Sequence, residues 1–303
     1  MIQVIATTPY TDQKMGTAGL RKKSKVVMQE HYFENFLQSI FNTIDPAGKT
    51  FVVGGDGRFY NSIAIQKLIK MAAANGVKKL IVGQNGFLST PASSNMILKR
   101  RTDGGFVLSA SHNPGGENGD FGIKFATETG GQCSSRVSDR IFAVSQTISE
   151  FKTVDAADID LSRLGTQNLE GMEIEIVDPI SDYVELMEKI FDFELIKKMF
   201  ANGFTMRFDA MNAVTGPYAI RIFEEILGAA KGSVLNAVPK PDFGGLHPDP
   251  NLVYAKELVN IMYADDAPDF GAANDGDGDR NMILRQKILC SAERQPGHFN
   301  RQL

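Results

Sequence analysis

Two short stretches of this 303-residue chain hold residue types that can do chemistry together. The first is VLSASHNPGG, residues 107–116. A short apolar strand, residues 106–108, leads into Ser111, then His112, Asn113, Pro114 and a glycine pair. Pro114 bars a helix, and Gly115 and Gly116 permit positive φ, so such a loop can hold a serine hydroxyl rigidly in the open. The second is NDGDGDRN, residues 274–281, where Asp275, Asp277 and Asp279 alternate with Gly276 and Gly278 after an expected strand. Three carboxylates this close repel one another unless a cation binds them. Alternation in an extended turn aims all three the same way. All-oxygen ligands at this spacing suit Mg²⁺ or another hard divalent ion. A Ca²⁺ helix–loop–helix needs a different start and a Glu six residues after its glycine, which are lacking here. A merely acidic turn is the remaining alternative.

Three carboxylates leave Mg²⁺ short of an octahedron, and a phosphate oxygen is its favoured extra ligand. A phosphorylated Ser111 facing the aspartates across an interdomain cleft would supply that oxygen. This points to phosphoryl transfer, in which a protein mostly positions groups and neutralises charge. Arg21, Lys124 and Arg280 are the cations available to the moving phosphoryl group, and His112 and Lys124 are the acid and base candidates. Near the N-terminus, Gly16 and Gly19 bracket Thr17, and Arg21, Lys22, Lys23 and Lys25 follow. A flexible loop with clustered cations suits an anionic ligand. His31, His247 and His298 show no partner spacing and are assigned no chemistry.

The elements that must position these loops alternate. Residues 33–44 carry apolar side chains at helical spacing, stopped by Pro46 and Gly48. A strand at 50–56 follows, then a Gly-rich turn with Asp56 and Arg58, a helix over 61–75, and a strand at 79–83. Residues 84–90 read as a loop, and Pro91 suits the first turn of a helix to about residue 101. Strand–helix alternation of this length indicates a parallel sheet with crossovers, whose ligands bind outside the carboxyl ends of the strands. Asp56, Ser89, Thr90 and Ser111 fall there. Residues 119–131 read as a hairpin returning Lys124 toward the serine, with a helix near 138–149 and a connecting segment over 151–171. A second unit repeats the pattern: helices at 179–191, 194–201, 217–227 and 252–263, and strands at 204–210, 233–238 and 269–275. The fold class is therefore α/β, with two repeated domains of mixed, mostly parallel sheets flanked by helices.

An apolar content of 43% with 22% charged residues predicts a folded protein rather than a disordered one. The net charge of −4, with no strongly basic block, argues against nucleic acid and anionic membrane surfaces as partners. No run approaches the roughly 18 apolar residues of a membrane span, and the N-terminus lacks a signal-peptide pattern. Cys133 and Cys290 form neither a metal spacing nor a disulfide framework. A cytoplasmic location is the expectation.

Six motifs in order carry a resemblance: GTAGLRKK (16–23), VVGGDGRFY (52–60), GQNGFLSTPA (83–92), SASHNPGGENGDFGIKF (109–125), DFGGLHPDPN (242–251) and FGAANDGDGDRNMIL (270–284). Over residues 1–284 the chain resembles the α-D-phosphohexomutases, and within them the phosphoglucomutases of the eukaryotic, parafusin-like type. The resemblance implies interconversion of glucose 1-phosphate and glucose 6-phosphate. A phosphoserine would donate its phosphoryl group, and glucose 1,6-bisphosphate would be both intermediate and activator. The implied catalytic residues are Ser111, His112 and Lys124, and the implied substrate contacts are Thr17, Arg21 and Arg280. One Mg²⁺ per chain would be held by Ser111, Asp275, Asp277 and Asp279. A phosphosugar substrate and a monomeric full-length protein are also implied.

Departures from the family pattern shape what is expected of this chain. The threonine usual two residues before the phosphoserine is Ser109, and GTSGLR reads GTAGLR, with Ala18. Beyond Leu284 the wording is neither strand-like nor family-like. The family's Gly-Glu-Glu-Ser sugar loop and Arg-Ser-Gly-Thr phosphate loop are not found. The expected layout is a first domain over 1–178, a second over 179–284 and a non-family tail over 285–303, with the family's third and fourth domains absent. Mutase turnover is expected to be impaired. The alternative is a non-catalytic phosphohexomutase-like scaffold or signalling phosphoprotein.

Overall fold

The structure, a computed structural model, describes residues 1–16 and 19–290. In chain order the strands are β1 (Ile2–Ala6), β2 (Leu20–Lys23), β3 (Thr50–Gly55), β4 (Lys79–Phe87), β5 (Gly104–Leu108), β6 (Asp120–Thr127), β7 (Glu150–Val154), β8 (Gly165–Leu169), β9 (Met172–Val177), β10 (Met206–Asp209), β11 (Val234–Leu235), β12 (Phe270–Asn274), β13 (Asn281–Arg285) and β14 (Ile288–Cys290). The α-helices are α1 (Ser24–Val27), α2 (Tyr32–Ile44), α3 (Asn61–Ala74), α4 (Thr90–Arg100), α5 (Ser135–Ser145), α6 (Ser181–Ile190), α7 (Phe193–Ala201), α8 (Thr215–Ala219) and α9 (Lys256–Met262).

Seven strands form the larger sheet in the order β2-β6-β5-β3-β4-β9-β8. The central run β5-β3-β4-β9 is parallel, and the pairings at either side, β5–β6, β2–β6 and β8–β9, are antiparallel. Side chains alternate across its plane. Phe51, Val53, Leu80 and Val82 enter one core with Phe33, Phe36, Leu37 and Ile40 of α2 and Ile65 and Leu68 of α3. Val52 and Ile81 point the other way, against Met96 and Ile97 of α4, Val184 of α6 and Tyr218 of α8. Helices cover both faces, which is why β3 and β4 read as continuous apolar runs rather than alternating ones. The second sheet, β11-β10-β12-β13-β14, is parallel from its β11 edge to β12 and antiparallel beyond β12. Both sheets are thus mixed.

Several local expectations change. Within the segment expected to be a polar loop, Leu20–Lys23 is a strand, because Leu20 is buried and pairs with Ile123. Residues 151–171 are more than a connection: β7 pairs with β1, and β8 forms a hairpin with β9 through the Glu170–Gly171 turn. Their edge positions leave residues such as Thr166 and Asn168 exposed, so apolar alternation is weak. β4 runs through to Phe87 with an irregularity beside Gly55, where a loop was expected. The helix expected over 217–227 is α8 widened into a π-turn over Ile220–Ile226. The strand expected over 233–238 shrinks to Val234–Leu235, and the helix over 252–263 to Lys256–Met262. Ile288–Cys290, beyond the motif-like wording, is strand after all, pairing with Ile283–Arg285. β6 is not a free-standing hairpin arm. It lies between β5 and β2, and this places Lys124 opposite Val107. Among the described residues no helix is long and apolar enough to cross a membrane.

An ion-pair cluster ties α4 to α6. Lys99 donates to Asp182 at 2.7 Å and also pairs with Glu185, while Arg100 Nε donates to Asp182 at 3.0 Å. Burial pushes the Asp182 carboxyl up, but the Lys99 and Arg100 hydrogen bonds outweigh it and hold the group below its ordinary value. A carboxyl lowered by folding contributes stability that is fully present above its unfolded value, about 3.9, and is lost as pH falls through the lower folded value. Asp182→Asn is therefore expected to cost about 2 kcal/mol at neutral pH. The gap from the parent narrows in strong acid. Urea unfolding of both proteins across pH checks this, and a gap independent of pH counts against it.

Candidate active site

The loops at the carboxyl ends of β3, β4, β5 and β12 converge, and with them the two stretches that carry chemistry. Ser111 follows β5 in the left-handed region, φ 55°, a conformation that costs a residue with a Cβ on the order of 1–3 kcal/mol. Two contacts hold it there. Its N–H donates to Ser109 Oγ at 2.7 Å, and its carbonyl accepts from Arg58 Nη2 at 2.8 Å. Ser109 Oγ in turn donates to Asp56 at 2.6 Å. Serine in place of the family's usual threonine thus keeps this hydroxyl in use.

Asp56 and Arg58, in the turn after β3, form an ion pair at 2.8 Å with both side chains 0% exposed. Arg58 Nε donates to both Asp56 oxygens, and Nη1 to the Asp120 carbonyl at 2.8 Å. Burial pushes the Asp56 carboxyl up, against the opposing pull of Arg58 and Ser109. The guanidinium also lies 5.2 Å from the ring centroid of Phe243, from the loop before α9. Replacing one member of a buried pair strands the other charge, at a cost of about 3–5 kcal/mol.

The aspartate loop meets Ser111 directly. Ser111 Oγ donates to Asp275 Oδ2 at 2.6 Å, across 164 residues of sequence. Asp275 Oδ1 accepts the backbone N–H groups of Asp279 and Arg280 at 3.0 and 3.1 Å. Burial, with Asp277 nearby, pushes the Asp275 carboxyl up to about 7. A Cβ at Gly276 would meet the Ser111 carbonyl oxygen at 2.5 Å, so the two loops approach as closely as a glycine allows. Lys124, 3% exposed, pairs with Asp277 and with Asp279 at 3.2 Å. Burial pushes Asp277 up, but Lys124 outweighs it and holds the group low. The loop is a turn closed by Gly278 N–H to the Asp275 carbonyl at 3.1 Å, not an extended segment. The carboxylates converge nonetheless: ligand oxygens of Asp275, Asp277 and Asp279 lie within 4.8 Å of one another.

Asp277 Oδ1 is buried and has no hydrogen-bond partner. A buried carboxylate oxygen left alone is costly, and a hard cation satisfies it. The residues present therefore fit one divalent ion, which Asp275, Asp277 and Asp279 could hold beside Ser111 Oγ.

The remaining candidates surround this centre. Arg21 Nε and Nη2 are buried without partners. Burial, then the nearby Arg280, pushes the Arg21 guanidinium down. Arg280 Nη1 donates to His112 Nδ1. Burial and Arg280 push the His112 imidazolium down, so the neutral ring is favoured. Thr17 lies outside the described residues. The neck of its loop is closed by Gly16 and Gly19, which exchange backbone bonds at 3.0 and 3.2 Å. Gly19 has φ 90°, and a Cβ there would meet the Ile123 carbonyl oxygen at 2.3 Å. Sequence reasoning passed over His247, whose ring lies 6.4 Å from that of His112. It placed Asp56 and Thr90 at the ligand-binding strand ends without assigning either a contact, and it gave Arg58 none, although the GGDGR turn after an apolar strand was a usable signal.

Models of the phosphoglucomutase/phosphomannomutase family match this chain twice: its alpha/beta/alpha domain I over residues 12–152 and its alpha/beta/alpha domain II over residues 181–287. The chain belongs to this family. A relative, the phosphoglucomutase of Rhizobium radiobacter, is 56% identical over 292 residues, 96% of this chain and 54% of that protein. The chloroplastic phosphoglucomutase of Brassica napus is 52% identical over 96% of this chain and 47% of its own length. The solved open form of pp63/parafusin, a phosphoglucomutase from Paramecium, superposes with TM-score 0.92 at 45% identity, covering 96% of this chain and 56% of that one. The chain thus spans about half the length of the family relatives it matches.

Arg58→Met is expected to lower stability by about 3–5 kcal/mol, and adding Asp56→Asn to recover part of the loss because no uncompensated charge remains. Urea denaturation of the parent, the single and the double variant measures this. A single variant as stable as the parent refutes it.

Proposed function

We propose that this chain performs the phosphoryl-transfer chemistry of a phosphoglucomutase, with Ser111 as phosphoryl carrier and glucose 1-phosphate and glucose 6-phosphate as substrates. The observation that carries the reading is the Ser111 Oγ bond to Asp275 Oδ2 at 2.6 Å, which joins a strained nucleophile loop to a three-carboxylate cluster. A merely acidic turn needs no such partner. The names of the relatives, phosphoglucomutases both, support the same chemistry.

Asp275, Asp277 and Asp279, with an oxygen of Ser111, would hold Mg²⁺. When bound, the ion supplies positive charge to the phosphoryl oxygens and lowers repulsion among the carboxylates. The chain's own residues do the rest. In the transfer, the P–Oγ bond of phosphorylated Ser111 breaks and a bond from phosphorus to a sugar hydroxyl oxygen forms. The hydroxyl proton passes to neutral His112, whose Nδ1 is freed as Arg280 turns from it to the substrate phosphate. Ser111 Oγ takes a proton from the Lys124 ammonium and ends as the hydroxyl seen donating to Asp275; the proton left on His112 restores the balance when the reverse half-cycle runs. Lys124, whose ammonium is ion-paired in the carboxylate cluster, is the second proton-handling group. The product of this half-cycle is glucose 1,6-bisphosphate, and the reverse half-cycle rephosphorylates Ser111 from its other phosphate. Arg21 and Thr17 complete the anion seat on the N-terminal side. Residues 1–178 act as the donor unit and 179–284 as the metal unit, with 285–303 outside the chemistry. The purified 303 residues match about half the length of these relatives, which leaves them less remote binding energy with which to hold and turn the bisphosphate.

Incubation of the purified chain with Mg²⁺ and glucose 1,6-bisphosphate is expected to place a phosphoryl group on Ser111, read by tandem mass spectrometry. Ser111→Ala, or chelation of the metal, is expected to abolish it. An unmodified Ser111 in the Mg²⁺-treated parent would falsify the proposal. A coupled assay of glucose 6-phosphate formation is expected to give turnover far below that of the Rhizobium radiobacter relative, and an equal rate would remove the impairment.

A further inference from the structure

We propose that Thr90 is a positioning residue that orients the Asp277 carboxylate for the cation site, reaching it from the other structural unit. The proposal rests on the metal reading above. Thr90 opens α4, which packs on the seven-stranded sheet, while Asp277 follows β12 of the five-stranded one. Two bonds join them: Thr90 Oγ1 donates to Asp277 Oδ2 at 2.7 Å, and Thr90 N–H donates to the Asp277 carbonyl at 2.9 Å. One residue thus holds both the main chain and the side chain of Asp277. Lys124 Nζ pairs with the same Oδ2 and also donates to Thr90 Oγ1 at 3.3 Å.

This arrangement has a directional effect. Both donors engage Oδ2, and Oδ1 remains buried and unpartnered. The carboxylate is thereby locked with one oxygen committed to protein groups and the other left for a cation. Without the hydroxyl, rotation about the carboxylate would let the Lys124 ammonium reach either oxygen and compete with the cation for Asp277.

Thr90 can act this way only if α4 itself is immobile, and it is anchored along its length. Ser89 caps it by accepting the Ala92 N–H at 3.2 Å, and the Ser89 N–H donates to Tyr218 OH at 3.3 Å. Tyr218 OH donates onward to the Pro179 carbonyl at 2.9 Å. Ala92, Met96 and Ile97 are buried against Val52 and Ile81. Asn95 Nδ2 donates to the Asp182 carbonyl at 2.8 Å, and Lys99 and Arg100 grip its carboxylate. The aspartate loop also sits between the starts of α8 and α4, since a Cβ at Gly278 would lie 2.6 Å from Thr215 and 3.7 Å from Ser89.

Partners that hold a ligand carboxylate from behind typically change metal affinity by about 10–100-fold when removed. Titration of the full chain with Mn²⁺, followed by electron paramagnetic resonance, tests the role without requiring turnover. Thr90→Val and Thr90→Ala, which remove the hydroxyl with and without keeping the side-chain bulk, are expected to weaken Mn²⁺ binding within that 10–100-fold range. Thr90→Ser, which keeps the hydroxyl, is expected to bind as the parent does. Parent-like binding by either hydroxyl-free variant overturns the proposal. So does a serine variant as weak as the valine one, because lost methyl packing then explains the effect. If the parent takes up no Mn²⁺, the metal reading and the role of Thr90 fall together; uptake by the parent with unchanged binding in the valine variant removes Thr90 alone.

Discussion

The site depends on one buried ion pair. Asp56 and Arg58 lie two residues apart in the turn after β3, with no exposed side-chain surface. Desolvating both charges is expensive, and it is tolerable because nearly every donor and acceptor is used. Asp56 accepts from Arg58 and Ser109, while Arg58 also reaches three carbonyls, those of Ser111, Asn113 and Asp120. Those outward bonds hold Ser111 at φ 55° and fasten the loop after it to the start of β6. A surface pair, screened and mobile, could not hold a strained residue this way. Burial supplies rigidity, and rigidity keeps the serine oxygen on the aspartate cluster.

Around that pair the two sheets meet by the same rule. Each presents the carboxyl ends of its parallel strands, where chain direction changes and backbone groups are free for ligands. β3, β4 and β5 deliver the Asp56–Arg58 turn, Thr90 and Ser111, and β12 delivers the aspartates. The antiparallel strand β6 supplies what the parallel core does not. Registered against β5, it sends Lys124 back among the carboxylates. The second unit contributes more than its aspartates. Phe243 packs over Arg58, and the Pro241 carbonyl accepts the N–H groups of Phe59 and Gly116. The loop over 239–245 thus closes the back of the serine loop.

Cations gather on one side of this centre. Arg21 and Arg280 lie there beside His112, and repulsion from Arg280 adds to burial in pushing Arg21 and His112 down. Clustering of this kind disfavours the empty site and favours an anion within it. An arrangement of this kind suits the proposed phosphoryl transfer, in which a protein mostly positions groups and neutralises charge.

Much of this was legible in the sequence, and the reason is local. Strands buried on both faces write themselves as apolar runs, Gly and Pro mark the functional turns, and close carboxylates need a cation wherever they stand. The sequence by itself therefore determined the α/β class, and it singled out Ser111, the aspartate triplet and the cations that the structure brings together. It did not determine β7, which pairs only with the distant β1, nor β8, whose edge position leaves it polar, nor β14, whose wording had lost the motif pattern. It could not show that Arg58 is buried and holds Ser111, because that role comes from contacts with Ser111, Asp120 and Phe243, 53 to 185 residues away. Nor could it show which oxygen of Asp277 is left without a hydrogen-bond partner. Both were decided by tertiary structure alone, since burial and partner choice exist only once distant strand ends are brought together.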